Sequence, residues 1–234
     1  MKIKAYTLFT DSHKKFLTNY FLPTFPFRKE IELTMLHRPQ HCKTATFEQE
    51  GWKDTMRDKS TCFYEKIQEC GEEEIFMFID PDIQFFKDFY NDIVNTMQDI
   101  DVAWQNDVIG GVNTGFFAVK NNKQTRAFFK TILGNLDSKD FSQEQVLANH
   151  LLQNIHLYPS IAVKSKFLPM EYWTYGWVAA TIDPRTGGCR GSWTPEALDF
   201  DIPKNIAIHH ANWTGGIENK LKLLDIVRDK HAKL

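Results

Sequence analysis

Ile75-Phe76-Met77-Phe78-Ile79-Asp80-Pro81-Asp82 sets five apolar residues, without alternation, directly before two carboxylates. An unbroken apolar run of that length is the pattern of a strand covered on both faces, as in a parallel sheet. Before it, residues 3–10 read as a first strand. A helix follows, capped by Asp11 or Ser12, passing through Phe16, Leu17 and Tyr20 and stopping at Pro23. Residues 31–36 read as a second strand. Residues 47–70 read as a helix whose start is blurred by Gly51. After the acidic pair, residues 88–97, 124–133 and 142–152 read as helices, with Ser142 and Gln145 in capping-box spacing. Residues 101–105, 115–119 and 206–209 read as short strands, Gly110-Gly111 breaks the chain, and residues 217–230 form a terminal helix. Residues 155–190, rich in aromatics, Gly and Pro, carry no clear period. Strands interleaved with helices predict an α/β layered fold.

The 234 residues, 42% of them hydrophobic, suffice for one sizeable core, and no linker, repeat or low-complexity run divides them. A single domain over 1–234 is the expectation. A net charge of −2 gives no electrostatic reason to expect nucleic acid as a partner. No apolar run approaches the ~20 residues of a membrane span, and the alternating start Met1-Lys2-Ile3-Lys4 has no signal-peptide core. Cys42, Cys62, Cys70 and Cys189 have neither C-x-x-C spacing nor the density of a disulfide framework. Reduced thiols and a cytoplasmic setting are expected. On that reading the match of Asn212-Trp213-Thr214 to a glycosylation acceptor is chance.

Ligands of open α/β sheets bind beyond the carboxyl ends of strands, where Asp80 and Asp82 stand. Hard divalent cations such as Mg²⁺ or Mn²⁺ take carboxylate and phosphate oxygens, so two acids facing a diphosphate suit them. An isolated Asp-Pro-Asp can equally be a solvated turn. An aspartyl phosphatase also places D-x-D after a buried strand, but expects Thr or Val where this chain has Gln84. Near the C-terminus a strand runs into His209-His210. Strand neighbours face opposite sides, so at most one of the two can join a given site, and for either alone a satisfied core histidine is the ordinary reading. Imidazole ligates Mn²⁺ alongside carboxylates. Gly215-Gly216 permits close backbone approach, and Lys220, one turn into the next helix, can face a phosphate.

Taken in order, Tyr6-Thr7-Leu8-Phe9-Thr10-Asp11, Phe78-Ile79-Asp80-Pro81-Asp82, Val112-Asn113-Thr114-Gly115-Phe116-Phe117, Glu144-Gln145 and His210-Ala211-Asn212-Trp213 with Gly216 and Lys220 resemble the nucleotide-diphospho-sugar transferases of the GT-A type. The resemblance implies a GT-A-like mixed, mainly parallel sheet flanked by helices, and a metal-dependent glycosyltransferase that moves a sugar from a UDP- or GDP-sugar to a glycan or other hydroxyl acceptor, with retention. Thr7, Phe9, Thr10 and Asp11 would line the nucleotide pocket. Asp80 would lie near ribose and metal, with Asp82 and His210 on the Mn²⁺ or Mg²⁺ ion. Lys220 and Gly216 would hold the diphosphate, and Asn113 and Thr114 would lie beneath the donor sugar. Lys59 is the basic residue ahead of the acidic strand, with Arg57 as its rival. Glu144 and Gln145 join Asp80 and Asp82 in the catalytic set, although Glu144 departs from the family's usual Asp. In a first helical turn an acid is also favoured by the dipole alone.

The chemistry follows from charge. Breaking the sugar–phosphate bond develops negative charge on the diphosphate, which a metal and Lys220 would stabilise. Trp173, Tyr175, Trp177 and Trp193 are candidates for stacking on an acceptor sugar, or simply for packing. Two other readings share the layered fold. A sugar-nucleotide-forming nucleotidyltransferase should show a Gly-rich basic loop after the first strand, and residues 8–15 contain no glycine. A non-catalytic nucleotide-sugar-binding domain has no reason to keep both acids and the histidine. The expected setting is a bacterial or viral glycan-building enzyme.

Overall fold

The computed structural model describes residues 1–43, 49–71, 74–107, 110–136 and 143–234. In chain order, strand β1 (Ile3–Phe9) leads into a helical run made of Asp11–His13, α1 (Lys14–Phe16), a π-type turn over Leu17–Phe21 and α2 (Leu22–Thr24). Then come β2 (Ile31–His37), α3 (Trp52–Gln68), β3 (Ile75–Ile79), β4 (Ile83–Phe85), α4 (Tyr90–Thr96), β5 (Val102–Asn106) and β6 (Val112–Lys120). The remainder is α5 (Lys123–Asn135), α6 (Glu144–Gln153), β7 (Ser165–Phe167), β8 (Tyr172–Thr174), α7 (Gly176–Ala179), β9 (Ile208–His210) and α8 (Ile217–His231). No helix among the described residues is long and apolar enough to cross a membrane.

Six strands form one sheet in the order β2-β1-β3-β6-β5-β7, and three form a second in the order β4-β9-β8. In the large sheet β1 runs parallel to β2 and β3, and β5 parallel to β7, while β6 is antiparallel to both β3 and β5. The sheet is therefore mixed and mainly parallel. The expectation for β3 is corrected in one respect: this strand is parallel to β1 on one side and antiparallel to β6 on the other. What makes it uniformly apolar is cover on both faces. Ile75, Met77 and Ile79 enter one hydrophobic cluster, and Phe76 and Phe78 enter another beneath α3 and α5. Period-2 alternation thus sends every residue of β3 into a core, each large side chain contributing roughly 1.5–3 kcal/mol of burial. Phe63 of α3 packs edge-on against Phe78 with ring centroids 4.7 Å apart, which fixes the helix over the strand.

Several boundaries differ from expectation. Thr10, not Asp11 or Ser12, is the residue before the first helical turn, because Asp11 already lies within it, and Pro23 sits in the last turn rather than beyond it. The helix α3 begins at Trp52, since Gly51 has φ 79° and a left-handed residue cannot continue a helix backwards. The Ser142 cap lies outside the described residues, and α6 starts at Glu144 after Gln143. The unassigned stretch 155–190 supplies β7 and β8, three residues each.

The small sheet positions the site. Strand β4 follows Asp82 immediately and pairs antiparallel with β9, placing Ile83 opposite His210 and Gln84 opposite His209. The ladder joins residues ~125 apart in sequence, and α8 packs Leu223, Leu224 and Val227 behind it.

Candidate functional site

A cleft of about 560 Å³ opens at the carboxyl ends of β1, β3 and β5. Its floor is the turn Asp80-Pro81-Asp82, where β3 ends. Asp80 N–H donates to the Gly115 carbonyl (2.6 Å), tying the turn to β6. Here β6 is irregular: its pairing with β5 jumps from Trp104–Phe117 to Gln105–Asn113. The backbone at Gly115 thereby comes so close to the acids that a Cβ there would lie 2.5 Å from Asp80 Oδ2. Only glycine fits.

Asp80, Asp82 and His210 each offer a ligand atom, all within 4.8 Å of one another. His210 Nε2 is 3.4 Å from Asp82 Oδ1 and 3.7 Å from Asp80 Oδ2. Two carboxylates and an imidazole are an oxygen-rich donor set with one borderline nitrogen, which fits Mn²⁺ or Mg²⁺. Each acid also meets a lysine. Lys220 Nζ, from the first turns of α8, donates to Asp82 Oδ2. Lys59 Nζ, buried on α3, lies 3.1 Å from Asp80 Oδ2 and 3.3 Å from Glu144 Oε1. Burial alone would push the Asp82 carboxyl up, but Lys220 and the protonated form of His210 hold it well below the usual carboxylate range. For Lys59 burial opposes the charge, and the carboxylates of Asp80 and Glu144 overcome it and raise the pKa.

The two histidines part company, as strand geometry requires. His210 turns to the acids. His209 turns inward, fully buried, with its Nδ1 3.1 Å from the Gln84 amide and its ring 5.2 Å from that of Trp173. Burial and the neighbouring His210 lower the His209 pKa to about 3, so it is neutral. Gln84, which spoke against a phosphatase, is the cross-strand partner of this core histidine.

Glu144 Oε1 accepts from Thr114 Oγ (2.9 Å), and its Oε2 is buried without a partner. Gln145 accepts from the Thr114 N–H and donates to Asp107 Oδ2 (3.1 Å). Asn113 Oδ1 accepts from the Gly115 N–H. Gly216, with φ 80° at the N-terminus of α8, turns the chain so that the helix starts at the cleft wall.

The cleft thus gathers Phe9, Thr10, Lys59, Asp80, Asp82, Asn113, Thr114, Glu144, Gln145, His210, Gly216 and Lys220. Thr7, Asp11 and Arg57 are not among its lining. Thr7 lies two residues deeper than Phe9, fully buried in β1 with Oγ1 unpartnered. Asp11 points outward to Lys14 and His37. Arg57, two residues from Lys59, is turned about 200° around the helix and is exposed. Of the two roles weighed for the four aromatics, acceptor stacking or packing, the structure shows packing. Trp173, Tyr175 and Trp193 are buried against α8, and Trp177 packs on the same cluster.

Two residues to which the sequence reading gave no role stand in the wall. Asp107 follows β5 as Asp80 follows β3, and that shared position was the available signal. Its Oδ1 accepts from Asn212 Nδ2 (3.0 Å) and Trp213 Nε1 (2.9 Å). Asn212 is thereby hydrogen-bonded within the cleft wall. Trp213 lines the cleft at 40% exposure with φ 51°, the only positive value among the described non-glycine residues. Anchored by Asp107, it is the aromatic that faces the cleft beside Gln145.

A profile of the family described as nucleotide-diphospho-sugar transferase matches residues 28–224. The chain belongs to that family. By membership it is a glycosyltransferase, and a nucleotide-sugar donor is the family's common substrate. No curated protein sequence matches it. Among solved structures it is similar to a glycosyltransferase involved in glycosylation of the major capsid of PBCV-1, with TM-score 0.58, 11% identity, and 97% of this chain and 100% of that one covered. Mouse xyloside xylosyltransferase 1 matches with TM-score 0.52 and 8% identity over 91% and 98% of the two chains. The galactosyltransferase LgtC, solved with donor and acceptor sugar analogues, matches with TM-score 0.50 and 12% identity over 95% of each. At such identities these likenesses establish the GT-A fold.

Proposed function

We propose that this glycosyltransferase moves a sugar from a nucleoside-diphosphate donor, UDP- or GDP-linked, to a hydroxyl of a glycan or similar acceptor, with a divalent cation held by Asp80, Asp82 and His210. The observation that carries the reading is the convergence of those three ligand atoms with Lys220 and the N-terminus of α8 on one cleft wall. A bound Mn²⁺ or Mg²⁺ would supply charge stabilisation to the leaving diphosphate. Lys220 and the free backbone N–H groups around Gly216 do the same from the protein side, where a helix N-terminus favours an anion. As the bond from the sugar C1 to the phosphate oxygen breaks, its electron pair stays on the diphosphate, and these groups meet the charge as it develops.

Phe9 and Thr10, at the end of β1, would take the nucleoside end. Asn113 and Thr114 would lie under the sugar, held by Gln145 and Glu144. Lys59 holds Asp80 and Glu144 in place through its two ion pairs. Trp213 and Asp107 lie across the metal set from β1, on the side left for the acceptor. Retention of anomeric configuration is carried from the family resemblance, and a cytoplasmic setting belongs to the same reading. The nucleotidyltransferase alternative is disfavoured by a specific feature: helix begins at Asp11, one residue after β1, leaving no loop to wrap a triphosphate. The test is thermal stabilisation by UDP and by GDP, each with and without Mn²⁺. A metal-dependent rise with one nucleotide is expected. No metal-dependent shift with either would sink the reading.

A further inference from the structure

Gln105 is fully buried at the irregular step of β5, and its side chain reaches His210. Its Nε2 lies 3.2 Å from the Tyr172 carbonyl oxygen and 3.4 Å from that of Trp173. Carbonyl oxygens only accept, so the amide nitrogen must face them and the amide oxygen must face the other way. That oxygen is 3.1 Å from His210 Nδ1. An amide oxygen also only accepts, so Nδ1 must carry a proton. The remaining nitrogen, Nε2, is the one turned to Asp80 and Asp82. The orientation follows from what each partner can donate or accept, without reference to hydrogen positions.

The neighbouring histidine is held the opposite way by the same logic. The Gln84 amide nitrogen faces the Leu224 carbonyl (3.0 Å) and also His209 Nδ1 (3.1 Å), so His209 Nδ1 accepts and its proton sits on Nε2. Two adjacent imidazoles are thus fixed as opposite tautomers by two buried glutamines.

We propose that Gln105 is a positioning residue for the cation: it holds His210 as the Nδ1–H tautomer and presents the Nε2 lone pair between the two carboxylates. The role rests on the metal reading above. Ring nitrogens that ligate metals are commonly oriented by a hydrogen bond to the other nitrogen, and removing that partner typically costs ~10–100-fold in metal affinity. The register of β5 on β6 shifts between Trp104 and Gln105, at the point where this side chain reaches across to β9.

The test uses the full chain labelled with ¹⁵N. Long-range ¹H–¹⁵N spectra of the metal-free protein at pH ~8, above the ordinary imidazole range, should show His210 protonated at Nδ1 and His209 at Nε2. Mn²⁺ uptake with UDP present, read by electron paramagnetic resonance, should fall ~10–100-fold in Gln105→Met. In Gln105→Glu an acceptor still faces Nδ1, so uptake should stay near wild type, although facing two carbonyls with a carboxylate lowers its melting temperature further than Met does. A purely structural residue would give the same ranking in both measurements. Wild-type His210 protonated at Nε2 would overturn the proposal, as would undiminished Mn²⁺ uptake by Gln105→Met. Should Gln105→Met not fold, the wild-type spectrum and Gln105→Glu still decide. Wild-type protein with the stated tautomers but no Mn²⁺ uptake would overturn the metal reading, and the assigned role with it, while the tautomer assignment stood.

Discussion

A Cβ built on Gly115 would lie 2.3 Å from His210 Cε1, so these residues of β6 and β9 can share the site only while one of them lacks a side chain. The same atom would meet Asp80 Oδ2 and Asn113 Oδ1 within 3 Å. Gly115→Ala must therefore push the imidazole or the acid aside. We expect the metal-dependent stabilisation by nucleotide to vanish and overpacking to cost about 1–3 kcal/mol, both read from melting curves. An alanine variant with the full Mn²⁺ response would show that the acids and the imidazole can rearrange at no cost to binding.

Lys59 stands between two buried or half-buried carboxylates. Replacing it by Met leaves Glu144 and Asp80 facing each other without their shared cation. Breaking a buried pair in this way costs about 3–5 kcal/mol, measurable by urea unfolding. Adding Glu144→Gln should recover part of the loss, because it removes the stranded charge. Arg57→Met, on the exposed face of the same helix, should cost under about 1 kcal/mol. Equal losses at 57 and 59 would contradict the assignment of Lys59 to the site.

His209 gives the apo protein a pH dependence of its own. Its folded pKa is lowered to about 3 by burial, whereas in the unfolded chain it is ~6.5. Below ~6.5 the unfolded state takes up a proton that the native state refuses, so stability falls as pH drops from ~6.5 toward 3. One such proton gives a slope of up to ~1.4 kcal/mol per pH unit. His209→Gln, which keeps a partner for Gln84, should flatten this limb in urea titrations at pH 7, 6 and 5. An unchanged limb would mean the acid sensitivity arises elsewhere.

Asp82 acts lower on the pH scale. Its folded pKa is depressed by Lys220 and His210 against the opposing effect of burial. Its contribution to stability is therefore complete above the unfolded carboxylate value of ~3.9 and disappears as pH falls through the folded value. Lys220→Met should shrink this contribution and move acid unfolding to higher pH. It should also weaken UDP binding by about 10–100-fold, the value of one charge-assisted hydrogen bond of ~1.5–3 kcal/mol. Calorimetric titration checks the second effect. Unaltered UDP affinity would remove Lys220 from the diphosphate.

The sequence disclosed what a local signal encodes. β3 was legible because both of its faces are buried, which leaves no polar residue to break the run, and the long helices showed their periods. β4, β7 and β8 were not, since three residues carry no period, and each exists only through partners distant in the chain. Within the site, Asp80, Asp82, Lys220 and His210 could be picked out because acids after a strand and a lysine early in a helix announce a place as well as a type. Asp107 obeys the same rule, but it follows a short strand beside two glycines, where a turn is the ordinary reading. Thr7, Asp11 and Arg57 lie one or two residues from true wall residues. What excludes them is the direction of the side chain, which depends on depth in the strand and angle around the helix rather than on residue type.

The pairing of β4 with β9 has a consequence for how the molecule comes into being. During synthesis the chain can lay down five strands of the large sheet before residue 130 has been made, yet one of the three proposed cation ligands and the lysine assigned to the diphosphate arrive only with residues 210–220. A nascent or prematurely terminated chain would own a hydrophobic scaffold in which Asp80 is already met by Lys59, while Asp82 still lacks its histidine and its lysine. Competence comes as a single late event, when the last short strand closes on the first residues beyond the acidic turn.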